Sequence, residues 1–240
     1  EIIGITTGIS DLDNKINGLK EGTMILIAAR PGMGKTTLAL NILEKHALEG
    51  GYPLIFSIEM PRKQLMKKII SSCFNLPLNK VMKADLNDFQ WAQVGEAVKA
   101  FKNTNMEIID NGAVSTDMIR LECRRYLKKY GKLTMVMVDY VQLIRPKKSG
   151  NRTTEMDEIS RDLKSIAKEF NCPVIVLSQL NREIEKRPDK TPLNSDLRES
   201  GQLEQDAEEI IFIHNEMNPE KVSPNDGLAK LIIGKCRMGE

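Results

Sequence analysis

The chain has 240 residues, 41% hydrophobic and 28% charged, with a formal net charge of +2 at pH 7. That length and balance fit a soluble globular protein with a full core, read as one domain over residues 1–240. No uncharged apolar run approaches the roughly 20 residues of a membrane span, and so small a net charge does not by itself specify a nucleic-acid partner. The 4 cysteines have no paired spacing and there are only 2 histidines, so a zinc site, a disulfide framework and histidine-based chemistry are not indicated. The opening Glu1-Ile2-Ile3-Gly4 has neither an initiator methionine nor a secretion signal, and a piece of a longer cytoplasmic protein is expected.

In chain order, the apolar run 24–28 is the first predicted strand, and a helical pattern over 36–49 follows it. Between them lies Ala29-Arg30-Pro31-Gly32-Met33-Gly34-Lys35-Thr36. Strand, glycine-containing loop, lysine, hydroxyl and helix form the order that a triphosphate-binding P-loop requires. Backbone N–H groups at the helix start seat phosphate oxygens, Lys35 reaches the β and γ oxygens, and Thr36 ligates magnesium. Gly32 and Gly34 let the backbone close around the phosphates without Cβ clashes. Ala29 stands where the strict pattern has glycine. The nucleotide-binding set is taken as Ala29 through Thr36, the next residue Thr37, and Asp139 further on. The expected ligands are ATP and Mg2+.

Further strands are predicted at 54–58, 106–109, 133–138 and 174–177, separated by helices at 61–74, 87–102, 116–130 and 155–170. Alternation of this kind gives an α/β fold with a mostly parallel sheet covered on both faces and ligands at the carboxyl ends of the strands. Residues 181–201 are polar and contain Pro188 and Pro192, and 210–213 and 228–233 read as later strands, antiparallel ones.

Asp139 ends the run 133–138 and suits the magnesium shell, acting through water; a carboxylate that merely ends a strand is the alternative. The next residue, Tyr140, is not acidic, so a water-orienting base has to come from elsewhere. Glu59, at the end of the second strand, is one candidate, and a carboxylate that favours the start of the next helix is the equal alternative. Gln179 ends the strand at 174–177 with an amide suited to sensing a γ-phosphate, or is a polar strand end. Lys235 and Arg237, two apart in a strand, project to one side, either as a solvated edge or as cations that reach a nucleotide held by a neighbouring subunit. Arg145, Lys147, Lys148 and Arg152 crowd one loop, and a second polar loop carries Arg182, Lys186, Arg187, Lys190 and Arg198 before Glu199-Ser200-Gly201. Neither loop contains an aromatic residue, so single-stranded nucleic acid would be held through its phosphates with little dependence on base sequence.

Taken together, these segments resemble the RecA-like motor domain of the DnaB family of bacterial and phage replicative DNA helicases. The residues that carry the resemblance are Thr7-Gly8 with Leu12-Asp13, Ala29 to Thr36, Phe56 to Pro61, Val138-Asp139-Tyr140, Leu177-Ser178-Gln179-Leu180, and Asp196 to Gly201 leading to Glu204-Gln205-Asp206-Ala207. The resemblance covers nearly the whole chain, and Ala-Arg-Pro at the start of the P-loop is common in that family. It implies a RecA-like P-loop fold and an ATP-driven helicase of 5'-3' polarity that forms a homo-hexameric ring around single-stranded DNA. Lys35 and Thr36 then hold phosphate and magnesium, Asp139 supports the metal, Glu59 activates water, and Gln179 couples the γ-phosphate to the DNA loops. Lys235 and Arg237 act in trans, and Arg198, Glu199 and Gly201 follow the DNA backbone. Primase and a helicase loader are the further partners it implies, with the family's N-terminal domain and linker helix absent from this chain. The tail around Lys235 and Arg237 departs from the usual bacterial pattern. A RecA-like recombinase, a clock-type ATPase, or a nucleotide-switched scaffold without motor activity would share parts of this residue set.

Overall fold

The computed structural model describes residues 2–147, 150–197, 201–215 and 228–237. In chain order its elements are α1 (Ser10–Ile16), β1 (Met24–Ala29), α2 (Lys35–Leu48), β2 (Pro53–Ser57), α3 (Arg62–Cys73), α4 (Leu78–Lys83), α5 (Asp88–Lys102), β3 (Glu107–Ile109), α6 (Thr116–Tyr130), β4 (Met135–Asp139), α7 (Arg152–Phe170), β5 (Val174–Gln179), α8 (Gly201–Asp206), β6 (Glu209–His214) and β7 (Lys230–Cys236). The strands form one seven-stranded sheet in the order β3-β2-β4-β5-β1-β6-β7. All neighbours are parallel except β6 and β7. The last two strands pair antiparallel with each other, as expected, and β6 also pairs parallel with β1, which joins them to the sheet.

Continuous apolar runs become strands here because both sheet faces are covered. Along β1, Met24, Leu26 and Ala28 enter one core, which α6, α7 and α8 close with Ile119, Ile159, Leu163 and Leu203. Ile25, Ile27 and Ala29 enter the other, closed by α1, α2 and α3 with Leu12, Ile16, Leu43 and Leu65. Each buried aliphatic side chain of this size contributes about 1.5–3 kcal/mol, and a one-residue slip of β1 would exchange its contents between two differently shaped cores.

Helix ends follow local chemistry. Asn87 and Gln90 form a reciprocal capping box at α5, with hydrogen bonds of 2.9 and 3.1 Å. Ser115 caps α6, and Gly131 ends it at φ +74°. Asn151 accepts the Thr153 N–H at 3.0 Å, so α7 starts at Arg152, earlier than the sequence pattern implied. Arg152 is therefore a helix residue. Pro61 is the N-cap of α3 and lies just outside its first turn. The short helices α1, α4 and α8 carry too few turns to give a readable period. Because β1, β2, β4 and β5 are parallel, the residues that follow them share one edge of the sheet.

Candidate functional site

The P-loop leaves β1 at Ala29, which is still extended, fully buried, and accepts a 3.1 Å hydrogen bond from the Leu180 N–H. Its Cβ packs in the core beneath α2, so a glycine is not needed at this position. Gly32 and Gly34 are needed for a different reason. Their φ angles are +76° and +93°, which L side chains rarely adopt, while a Cβ at either would meet open space. The positive φ angles alone are enough to require glycine at both positions. The Met33 N–H donates to Arg30 O at 3.2 Å and closes the turn, and α2 begins on Gly34 with no side-chain cap. Its first N–H groups and the positive end of its dipole are left facing the loop's concavity.

Four side chains converge beneath that concavity. Lys35 Nζ lies 3.3 Å from Asp139 Oδ1 and 3.5 Å from Glu59 Oε2, and Thr36 Oγ1 donates to Asp139 Oδ2 at 2.8 Å. Asp139 is wholly buried, whereas the Glu59 carboxylate remains 42% exposed and open to solvent. Glu59 stands three residues before α3, and its N–H and that of Ile58 both point to Asp139 O, at 3.4 and 2.9 Å. Ser57 Oγ donates to Met60 O at 2.6 Å and fixes the bend that turns Glu59 toward Lys35. A cavity of about 230 Å³ opens here, lined by Arg30, Pro31, Gly32, Gly34, Lys35, Thr36, Thr37, Glu59 and Gln179. Asp139 does not line it but holds Lys35 and Thr36 from behind.

Two contributors had no usable signal in the sequence. Lys68, on α3, lines the same cavity, but one lysine in a helix rich in lysine carries no mark. Tyr140 places its ring 4.5 Å from Lys35 Nζ, a cation–π contact that steadies the lysine. Arg30, at the rim of the cavity, grips both Glu185 oxygens at 3.0 Å, tying the P-loop to the turn Arg182–Lys186 that follows β5. That arginine holds the Glu185 carboxyl below the usual carboxylate range. A second, more apolar cavity of about 660 Å³ shares Gly34 and Thr37 and extends between Leu38, Asn41, Ile213 and Leu231.

The basic loops are only partly free. Arg145 is exposed, with its N–H held by Val114 O at 2.8 Å. Lys147 is paired with Asp117 at 3.0 Å and Asp162 at 2.8 Å, and those hydrogen bonds raise its pKa. Arg152 donates to Gln142 O at 2.6 Å and pairs with Glu155 at 3.6 Å. Arg187 is committed to Asp196, at 2.9 and 2.7 Å, and holds the second loop together from within. Gly201 is the first residue of α8. Lys148, Arg198 and Glu199 lie outside the described residues.

Lys235 and Arg237 do project to one side: both reach the last turn of α8, where Arg237 Nη2 donates to Gln205 O at 2.7 Å and Lys235 Nζ to Glu204 O and Gln205 O. Burial and the nearby Arg237 charge lower the Lys235 pKa. Lys235 is level with Ile210 near the start of β6, and β6 pairs with β1 so that Ile213 is level with Ala29. The pair thus sits toward the edge of the sheet away from its own P-loop. Among the described residues no cluster of three or more His, Cys, Asp or Glu could hold a metal, and no helix is long and apolar enough to cross a membrane. Cys123 and Cys172 are buried, Cys73 and Cys236 are half-buried, and all four are free.

The profile of the DnaB-like helicase C-terminal domain matches residues 4–240. The replicative DNA helicase DnaB of Haemophilus influenzae is 46% identical over 243 residues, covering 99% of this chain and 52% of that protein. The replicative DNA helicase DnaB of Buchnera aphidicola subsp. Acyrthosiphon pisum is 46% identical over 241 residues, again with 99% and 52% covered. The chain thus spans about half the length of these curated relatives. Among solved structures, a DnaB-like replicative helicase, described with its interactions with primase, superposes with a TM-score of 0.94 at 36% identity, covering 100% of this chain and 58% of that one. A second solved structure, described as an ATPase domain, gives the same TM-score and identity over 100% of this chain and 86% of that one. The fold, the site and these matches agree, and the chain belongs to the DnaB-like helicase C-terminal domain family.

Proposed function

We propose that this chain is the single ATP-hydrolysing motor domain of a replicative DNA helicase, acting at subunit interfaces of a homo-hexameric ring that moves along single-stranded DNA in the cytoplasm. The observation that carries the reading is the convergence of Lys35, Thr36, Asp139, Glu59 and Gln179 on one sheet edge around one cavity. The P-loop N–H groups and Lys35 bind the β- and γ-phosphates of ATP. The adjoining apolar cavity has room for the nucleoside, since it begins at Gly34 and Thr37.

Mg2+ fits the donor set: a buried carboxylate beside a hydroxyl, with phosphate and water supplying the remaining oxygens, is a common magnesium arrangement. Thr36 would hold it directly and Asp139 through water, and the bound ion neutralises charge on the β and γ oxygens. Glu59 orients the attacking water and accepts its proton, a role that its open carboxylate allows. Gln179 reads the presence of the γ-phosphate through its amide. Lys235 and Arg237 complete the site of the neighbouring subunit, and Arg145, Lys147, Lys148, Arg152, Arg198, Glu199 and Gly201 form the DNA-facing surface. Primase and a loader are partners of the whole protein in this reading.

Strand displacement on forked DNA by the full-length protein tests the proposal. ATP-dependent unwinding that Glu59→Gln nearly abolishes, by at least about 100-fold while ATP still binds, is the expected result. An ATPase that ignores single-stranded DNA and separates no strands would instead make the protein a nucleotide-switched scaffold.

A further inference from the structure

Gln142 follows Asp139 by three residues and sits in the 3-10 turn Val141–Leu143. The register of β4 with β5 ends at Val138 opposite Val176, so no strand pairing holds the last residues of the two strands together. The Gln142 side chain takes over there. Its Nε2 donates to Ser178 Oγ at 2.9 Å and to Gln179 O at 3.1 Å, and its Oε1 accepts the Gln179 N–H at 3.2 Å. A glutamine amide offers one acceptor and two donors, and reversing it would set oxygen against the Gln179 carbonyl and NH2 against its N–H. One orientation alone satisfies both ends of Gln179. The backbone carbonyl of the same Gln142 accepts from Arg152, the residue that begins α7 beside the first basic loop.

We propose that Gln142 is a positioning residue that grips the backbone of Gln179, aims its side chain into the phosphate cavity, and passes movement between that cavity and the basic loop through Arg152. The chain of contacts is continuous: Gln179 lines the cavity, Gln142 holds the β5 end at three atoms, and Arg152 holds Gln142. A rigid latch of this kind makes nucleotide binding and DNA binding reciprocal, because a shift at either end must be shared by the other. The inference rests on the proposal that the protein binds both ATP and single-stranded DNA.

The test is a linkage measurement on the full-length protein, with affinity for a fluorescent oligo-dT strand taken with and without a non-hydrolysable ATP analogue. Wild type should show the two affinities differing by about fivefold or more, the lower end of ordinary allosteric coupling. Gln142→Met fills the same space but makes none of the three hydrogen bonds, and it should bring that ratio to within about twofold of one. A cooperative thermal melt and a wild-type far-ultraviolet circular dichroism spectrum should be retained, which a general loss of structure would not allow. Gln142→Glu keeps the acceptor for the Gln179 N–H but loses the donors, and its ratio should fall between the two. Coupling that persists in full in Gln142→Met would overturn the latch and leave the motor reading intact. Wild-type protein without any coupling would overturn the motor reading and the latch with it.

Discussion

Glu209 is a costly residue of the core. It is fully buried at the start of β6, neither carboxyl oxygen has a hydrogen-bond partner, and Lys20 Nζ is 3.7 Å away. Burial pushes its pKa up to about 7. A carboxyl whose folded pKa lies above its unfolded one binds more protons when folded, so stability falls as pH rises from the ordinary carboxylate range through about 7. Glu209→Gln should therefore raise the melting temperature at pH 8 by a few degrees, roughly 2–4 °C per kcal/mol, and change it little at pH 4. Thermal melts of the two proteins across that range check the sign; equal shifts at both pH values would contradict it. At the site, Tyr140→Phe should leave ATP affinity near wild type. Tyr140→Leu should weaken it by about 0.5–1 kcal/mol, because only the latter removes the ring beside Lys35. Titration with a fluorescent ATP analogue distinguishes them.

At the scale of elements, the loops that follow β4 and β5 are held to the scaffold more firmly than their charge suggests. Arg145 is exposed, whereas Lys147 already faces two carboxylates. Removing Arg145 should lower the slope of log affinity against log salt for single-stranded DNA by about 0.7, and removing Lys147 should lower it by less. Equal slope changes would mean that Lys147 leaves Asp117 and Asp162 to reach DNA. The Arg30–Glu185 pair joins the P-loop to the loop after β5, yet Glu185 is half exposed. A double-mutant cycle on stability should thus give at most about 1 kcal/mol, the ordinary range for an exposed pair. The strand and helix run from β1 to β5 was legible because apolar length, capping residues and prolines all agree locally. The parallel pairing of β6 was not, since a short apolar run is the same whichever way its neighbour runs.

Over the whole molecule, the decisive placement is that of Lys235 and Arg237 away from the P-loop edge of their own sheet. If they serve a neighbouring site, an inactive Lys35→Ala protein mixed with an inactive Arg237→Ala protein should regain part of the ATPase activity, since mixed rings contain interfaces with both residues intact. Phosphate release across mixing ratios, with assembly verified, is the measurement, and no recovery at any ratio would place the pair outside catalysis. The P-loop and the alternation of strands and helices are legible in the sequence because they are written in short contiguous patterns with fixed local geometry; Asp139, Glu59 and Gln179 are legible there only as polar strand ends, and the family resemblance is what singled out Glu59. The tertiary structure alone decided that Tyr140 and Lys68 lie beside the same cavity, that Lys147 and Arg187 pair with carboxylates of the protein itself, and that β6 runs parallel to β1. Such facts depend on which residues meet across long stretches of chain, and contact at that range is set by packing of the sheet and its two helical layers, which no local pattern encodes.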